Sequence, residues 1–371
     1  MKKSQSILLT VLFCAFLGAV AVLTLALPKR EFSEFENRYL QTAPKFSYKT
    51  VKNGKFMEDA EEYISDHIVL RDFWVALKAA SERALGKGEN NGVYFCKNDT
   101  LIRRVSEPDP AMLTKKAGFV SSLADDVEIP VYLGLIPTAA EVYAELLPAD
   151  APTADEKAAI SSVYAQTSAQ GIDLLTPLTE GKEELLFYRT DHHWTSRGAF
   201  LGANAILEAM GLEPLSRDDF TPQTVSDTFY GTVWSSSGAQ WVEPDSIEIF
   251  VPEDGLSVQS YRNNALGPAT LYVPEKLETK DKYSYFLGGN QPICIIGTQT
   301  DGPKLLLVRD SYSDCLAPFL TRRFSEIHLI DLRYYHMSLR DYIRENGIDD
   351  AVILYGFSMF ADDSYLAFLT K

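Results

Sequence analysis

A chain of 371 residues with 46% hydrophobic and 12% aromatic side chains can build one large globular domain, or one with a sizeable insertion, and is no disordered polymer. Its net charge is −16, and because residues 1–30 hold four of the cations and no acid, the remainder stands at −20. So acidic a body repels nucleic acid and anionic lipid headgroups, which argues against a nucleic-acid partner.

Ile7 to Leu27 is uncharged and almost wholly apolar, long enough to span a bilayer as a helix and long for the core of a cleaved signal peptide. Leu25-Ala-Leu-Pro28 is a poor cleavage site. Residues 1–30 therefore read as a short cytoplasmic tail and an uncleaved signal anchor, with the body outside the cell membrane; Lys29 and Arg30 offset Lys2 and Lys3, so charge does little to set that orientation. Residues 31–54 read as a polar tether broken by Pro44, and the domain proper is expected over 55–371. Lys55–His67 and Val69–Leu85 have helical periodicity, the second with Phe73, Trp74, Leu77, Ala80 and Ala84 on one face and Gly86 as its stop. Val93–Cys96 and Leu101-Ile102 flank Asn98-Asp99 as a hairpin, and Asp109-Pro110 opens a helix to about Asp125.

Ile129–Ile136 is a buried-strand pattern, and the Thr153/Glu156 spacing is that of a capping box on a helix stopping at Gly171. Ile172–Leu175 and Glu184–Tyr188 follow as strands, the latter delivering the chain to Asp191. Thr195 caps a helix with Phe200, Ala203, Ile206, Leu207 and Met210 on one stripe, ended by Gly211. Short strands then crowd into a β-rich insertion at about 246–287, before Leu305–Val308, Ile327–Ile330 and Ala351–Tyr355 resume the apolar-strand pattern. Strands alternating with helices predict an α/β sandwich on a mainly parallel sheet, whose active sites form at the carboxyl ends of the strands. Asp191, Asp310 and Ser311 all fall at such ends. Of the four cysteines one lies in the apolar run, so at most one disulfide is available, and no Cys/His spacing suggests zinc or another cofactor.

Asp310-Ser311 comes shortly after Leu305–Val308 and precedes a helix expected to reach Arg322, at a point where backbone N–H groups and the helix dipole favour a developing oxyanion. Serine and aspartate also cap helices, so the position becomes catalytic only with a base. The one strong source is Thr190-Asp-His-His-Trp-Thr195: Asp191 orients His193, which takes the proton of Ser311, while His192 points to the other side of the extended segment. Asn290, after two glycines, is a candidate oxyanion donor or simply part of a turn. His192, Trp194, Arg309, Tyr312 and Arg333 are candidate substrate contacts, although aromatic residues at this density are more often core.

Asp191-His-His-Trp194 together with Asp310-Ser-Tyr312 resembles the DHHW proteins and, more widely, the SGNH-hydrolase-like domains of alginate O-acetylation proteins. Glu36-Asn-Arg38, Asp66-His67, Leu135-Ile-Pro137, Tyr230-Gly-Thr232 and Gly288-Gly-Asn290 add weaker matches. The resemblance implies a three-layer sandwich, a Ser311–His193–Asp191 triad, and acetyl transfer to, or removal from, an extracellular glycan, with a membrane-bound O-acyltransferase as a possible acetyl source. Two departures stand out: serine comes after the Asp/His pair, as in the alginate group, and Arg309 replaces the glycine of a Gly-Asp-Ser motif, where it offers a cation to an anionic substrate. A serine acyltransferase or esterase is the leading expectation. A catalytically retired glycan-binding or envelope-assembly protein is the alternative, marked by His193 lying too far from Ser311. A metallophosphoesterase ranks third, because only His67, His328 and His336 remain as further histidine ligands.

Overall fold

The computed structural model describes residues 3–262 and 264–371; Met1 and Lys2, the tip of the expected cytoplasmic tail, lie outside the described residues. The chain divides into two compact units, one holding the residues up to Asn90 together with Ser235–Trp241, the other Asn91–Trp234 with Val242–Lys371.

In the first unit α1, Lys3–Ala26, is long and apolar enough to cross a membrane, and none of its apolar window is buried. Residues 31–54 are no extended tether: Phe32–Ser33 pairs with Arg38–Tyr39, and a short helix covers Tyr48–Lys52. Electrostatics fastens this segment to α2, Lys55–His67, and α3, Arg71–Ala84. The buried carboxylate of Asp66 accepts from Arg38 and from Gln41 N, and Arg71 reaches both Asp66 and Glu36 at 3.3 and 3.0 Å. Burial alone would raise Asp66; Arg38, Gln41 N and Arg71 together outweigh it and lower the carboxyl to about 2.

The second unit is built on an eight-stranded sheet. Its strands are β1 Val131–Ile136, β2 Gln170–Ile172, β3 Ser257–Arg262, β4 Ala265–Ala269, β5 Ile293–Gly297, β6 Lys304–Arg309, β7 Glu326–Ile330 and β8 Asp350–Gly356. The order is β4-β3-β5-β7-β6-β8-β1-β2, parallel from β7 to β2 and antiparallel through β5, β3 and β4. Every residue of β1, and every residue of β6 and β8 after the first, is buried, so both faces of the parallel core are covered, the requirement that their unbroken apolar runs express. The helices used below are α4 Pro110–Asp126, α5 Glu156–Tyr164, α6 Ser196–Ala209 and α7 Ser313–Leu320. This is an α/β sandwich with a mainly parallel sheet and an N-terminal apolar helix.

Several local expectations are redrawn. The stretch 246–287 divides its strands: Asp245–Ile249 pairs with Gln223–Phe229, whereas β3 and β4 extend the central sheet. Lys282–Tyr285 is a 3₁₀ turn, and its strand pairing with the preceding segment is limited to an isolated Tyr272–Phe286 bridge. Glu184–Tyr188 is irregular and keeps one bridge, Phe187 to Trp194; its carbonyls are spent on the cap of α6, where Thr195 Oγ1 donates to Leu185 O and accepts from Arg197 N. Asp155, not Thr153, caps α5, since Glu156 turns inward to Thr138. Neither Asp310 nor Ser311 caps a helix: α7 begins at Ser313 without a side-chain cap and ends at Leu320.

Leu307, at the middle of β6, is fully buried between Leu329 of β7 and Val352 of β8. Leu307→Ala is expected to cost about 2–5 kcal/mol through lost burial and a residual cavity, read from denaturant unfolding followed by circular dichroism. A loss below about 1 kcal/mol would contradict the close packing described.

Candidate active site

The carboxyl ends of β6, β8 and β1 open into one groove of about 820 Å³, and Asp191, His192, Asp310, Ser311 and Tyr312 line it together with Thr138 and Gly356. Two loops meet at its floor. One is the turn after β6, carrying Asp310-Ser311-Tyr312; the other is the segment before α6, carrying Asp191-His192-His193-Trp194. His193 Nε2 lies 2.7 Å from Ser311 Oγ, and His193 Nδ1 lies 2.5 Å from Asp191 Oδ1. The carboxylate, imidazole and hydroxyl therefore form one continuous hydrogen-bonded chain.

Each member is held from a second direction. Asp191 Oδ1 also accepts from His193 N at 3.0 Å, and Oδ2 accepts from Thr232 N at 2.7 Å and Thr232 Oγ1 at 3.0 Å. Burial acts to raise this carboxyl; the two adjacent imidazoles and these donors outweigh it, leaving the pKa well below the ordinary carboxylate range. Gly231 makes the contact possible, because a Cβ there would fall 2.2 Å from Asp191 Cβ. One layer further out, the buried Asp245 accepts from Thr190 N, Thr190 Oγ1 and Arg189 N, fixing the backbone immediately before Asp191. Asp310, also buried, accepts from Tyr312 N at 3.1 Å and Gly356 N at 2.8 Å, tying the serine turn to the end of β8; burial raises its carboxyl to about 6.

Of the expected substrate contacts, His192 and Tyr312 line the groove. His192 Nδ1 lies 2.8 Å from Thr232 Oγ1, and its pKa is held below the ordinary value, by partial burial first and by the facing His193 ring second. Tyr312 donates its hydroxyl to the carbonyl of His192. Trp194 does not reach the groove: it is fully buried, and its indole N–H donates to Tyr312 O at 2.8 Å, joining the two loops from beneath. Gly202 leaves room for that ring, since a Cβ there would stand 2.6 Å from it. Arg309 is likewise fully buried, donating to Asn290 Oδ1 at 2.9 Å and standing 3.0 Å from Asp314 of α7, so it presents no cation to a substrate. Asn290 is the acceptor in that pair and lies outside the groove, behind a turn in which Gly288 and Gly289 both have positive φ. Arg333 is engaged by Asp331 at 2.6 Å and does not line the groove either.

Three residues that sequence reasoning passed over belong to the assembly. Thr232 carried a signal as part of Tyr230-Gly-Thr232, but its role as clamp on Asp191 did not show. Asp245 gave none. Tyr283 gave none either, yet its ring stacks on His193 with centroids 3.8 Å apart and planes 9° apart. Among the described residues, one group of potential metal ligands forms, Asp191, His192 and His193, with its ligand atoms within 4.8 Å of one another. Both ring nitrogens of His193 and Nδ1 of His192 face Asp191, Ser311 and Thr232.

The chain is an α/β sandwich that carries Asp, His and Ser in hydrogen-bonding sequence at the carboxyl edge of its sheet. The DHHW protein family model matches residues 122–330, and the chain belongs to this family. It is 24% identical over 191 residues to a Pseudomonas putida protein described as "Probable alginate O-acetylase AlgJ", covering 48% of this chain and 50% of that one. The counterpart of Pseudomonas syringae pv. tomato is 28% identical over 212 residues, 53% of this chain and 51% of that one. The chain thus spans about half the length of these curated relatives. Its fold is that of a DHHW family protein from Eubacterium siraeum, with a TM-score of 0.67 at 22% identity over 76% of this chain and 95% of that one. Bacillus cereus PatB1, solved with a sulfonyl adduct, superposes with a TM-score of 0.63 at 19% identity over 73% and 96%.

Thr138, on the groove wall, is held by the fully buried Glu156, whose Oε2 accepts from Thr138 N at 2.8 Å and whose Oε1 lies 2.5 Å from Thr138 Oγ1. Burial raises this carboxyl to about 7. A folded pKa above the unfolded one gives stability that is complete below the unfolded value and is lost as pH rises through the folded one. Asp310 and Asp314, each raised to about 6 by burial, act in the same direction at lower pH. Glu156→Gln is therefore expected to flatten the fall in melting temperature between roughly pH 5 and pH 7, most completely above pH 6, while Asp310 and Asp314 keep the lower part of that range sloped. Identical slopes in variant and wild type would contradict this assignment.

Proposed function

We propose that the chain is a membrane-anchored serine O-acyltransferase or esterase acting on a cell-envelope or exported glycan, with Ser311 as nucleophile, His193 as base and Asp191 as its orienter. The observation that carries this reading is the 2.7 Å contact between His193 Nε2 and Ser311 Oγ, with the opposite ring nitrogen on a buried carboxylate. That distance favours the catalytic reading over a retired binding protein. Relatives described as alginate O-acetylases support a polysaccharide O-acetyltransferase type of role. In the first step Ser311 Oγ attacks the acyl carbonyl carbon, its proton passes to His193 Nε2, and the carbonyl π pair moves to oxygen. The tetrahedral intermediate collapses as the donor's alkoxide leaves and takes the proton from His193. A sugar hydroxyl, or water, then gives its proton to His193 and removes the acyl group from Ser311 by the same path in reverse.

Asp191 keeps the imidazole in the tautomer with Nδ1 protonated and supports the imidazolium formed in each step. Asp310 takes the amides of Tyr312 and Gly356, and we assign the remaining amide of the turn, Ser311 N–H, to the oxyanion. The groove reads as the seat of the glycan acceptor, with His192 and Tyr312 as its contacts. The apolar helix α1 reads as an anchor that keeps the body on the outer side of the membrane, where an acetyl group supplied by a membrane-bound O-acyltransferase is within reach.

The full-length chain in detergent is expected to release acetate from a chromogenic acetyl ester, and Ser311→Ala and His193→Ala each to lower the rate by about 10³-fold or more. Ser311 is expected to be labelled by a sulfonyl fluoride, with a chelator leaving labelling unchanged. Equal rates in wild type and Ser311→Ala, with no label on Ser311, would defeat the reading; loss of activity on chelation, restored by a divalent cation, would revive a metal-dependent one.

A further inference from the structure

We propose that Tyr283 is a positioning residue that holds both ends of the proton relay at once, an inference that rests on the triad reading above. Its ring lies face to face with His193, with centroids 3.8 Å apart, and the His192 ring packs tilted against the same imidazole with centroids 3.9 Å apart, so two rings restrict its movement. The hydroxyl of the same side chain donates to the carbonyl oxygen of Ser311 at 3.0 Å and lies 3.2 Å from Cys315 Sγ, one helical turn on in α7. One rigid aromatic group with two side-chain torsions thus sets the base against the nucleophile. Tyr283 is buried, and burial raises its phenol well above the ordinary value, so it stays protonated and remains a donor.

The chain around Tyr283 is built to hold it still. The 3₁₀ turn Lys282–Tyr285 is pinned at its start, where Lys282 donates to Thr228 Oγ1 at 2.7 Å. Tyr188 and Phe286 pack edgewise or tilted against the ring, with centroids 6.3 and 5.5 Å away. The stack has an electrostatic consequence as well. When His193 accepts the proton of Ser311 it becomes a cation above the negative face of the Tyr283 ring, an attraction that exists only once charge has been transferred. Asp191 serves the imidazolium in the ring plane; Tyr283 serves it from above.

Ring and hydroxyl separate by mutation. Tyr283→Phe keeps the stack and loses the donor to Ser311; Tyr283→Leu loses both. With full-length protein in detergent, the rate at which a sulfonyl fluoride modifies Ser311, normalised to folded protein, is expected to fall several-fold in Tyr283→Phe and at least about tenfold further in Tyr283→Leu. In the ester assay the loss should appear in kcat with KM nearly unchanged. If wild type is modified at Ser311 and both variants react at its rate, even with lowered melting temperatures, Tyr283 is a packing residue and the proposal falls alone. If wild type itself leaves Ser311 unmodified, the proposal falls together with the triad reading.

Discussion

The site depends on one buried carboxylate and the four hydrogen bonds it accepts. Asp191 is 3% exposed, and a carboxylate withdrawn from water to that degree is tolerated only when its lone pairs are filled. His193 fills one oxygen through its backbone and its ring, and Thr232 fills the other in the same way. The imidazole is thereby fixed in plane and tautomer. Every later feature of the groove presupposes that fixed ring: the reach of Nε2 to Ser311, the stack of Tyr283, and the position of His192.

The rest of the unit serves to bring two distant loops against that carboxylate. Ser311 arrives just past the end of β6, whose residues after Lys304 are all buried, on a turn closed by Asp310 onto the end of β8. The Asp-His-His-Trp segment arrives on the approach to α6, held by the Thr195 cap on one side and by the grip of Asp245 on Thr190 on the other. Trp194 then locks the loops together through its bond to Tyr312 O. An apolar side chain in that place would lose this direct link between the two loops.

Much of this was legible in the sequence, for a physical reason. Apolar runs such as Leu305–Val308 and Ala351–Tyr355 can be satisfied only by a strand covered on both faces, and an adjacent Asp-His-His before a capped helix is locally distinctive. Local pattern does not say which way a side chain points. Trp194 suggests a sugar contact because aromatic rings stack on sugar faces, and Arg309 a cation for an anionic substrate; their burial follows from packing against α6 and α7, which no short window reveals. Asn290 looked like an amide donor, but its oxygen belongs to Arg309. Tyr283 and Asp245 stayed invisible because each acts across tens of residues of intervening chain with no motif around it. The strand pattern over Lys282–Leu287 concealed the turn that presents Tyr283.

The most direct test of the central claim is to stop turnover early and find where the acyl group resides. Rapid quenching of the full-length chain with an activated acetyl donor, followed by peptide mass spectrometry, should place a single acetyl group on the peptide containing Ser311, and Asp191→Asn should slow its appearance without moving it. Acetyl found on another side chain, in equal amount when Ser311 is replaced by alanine, would contradict the account.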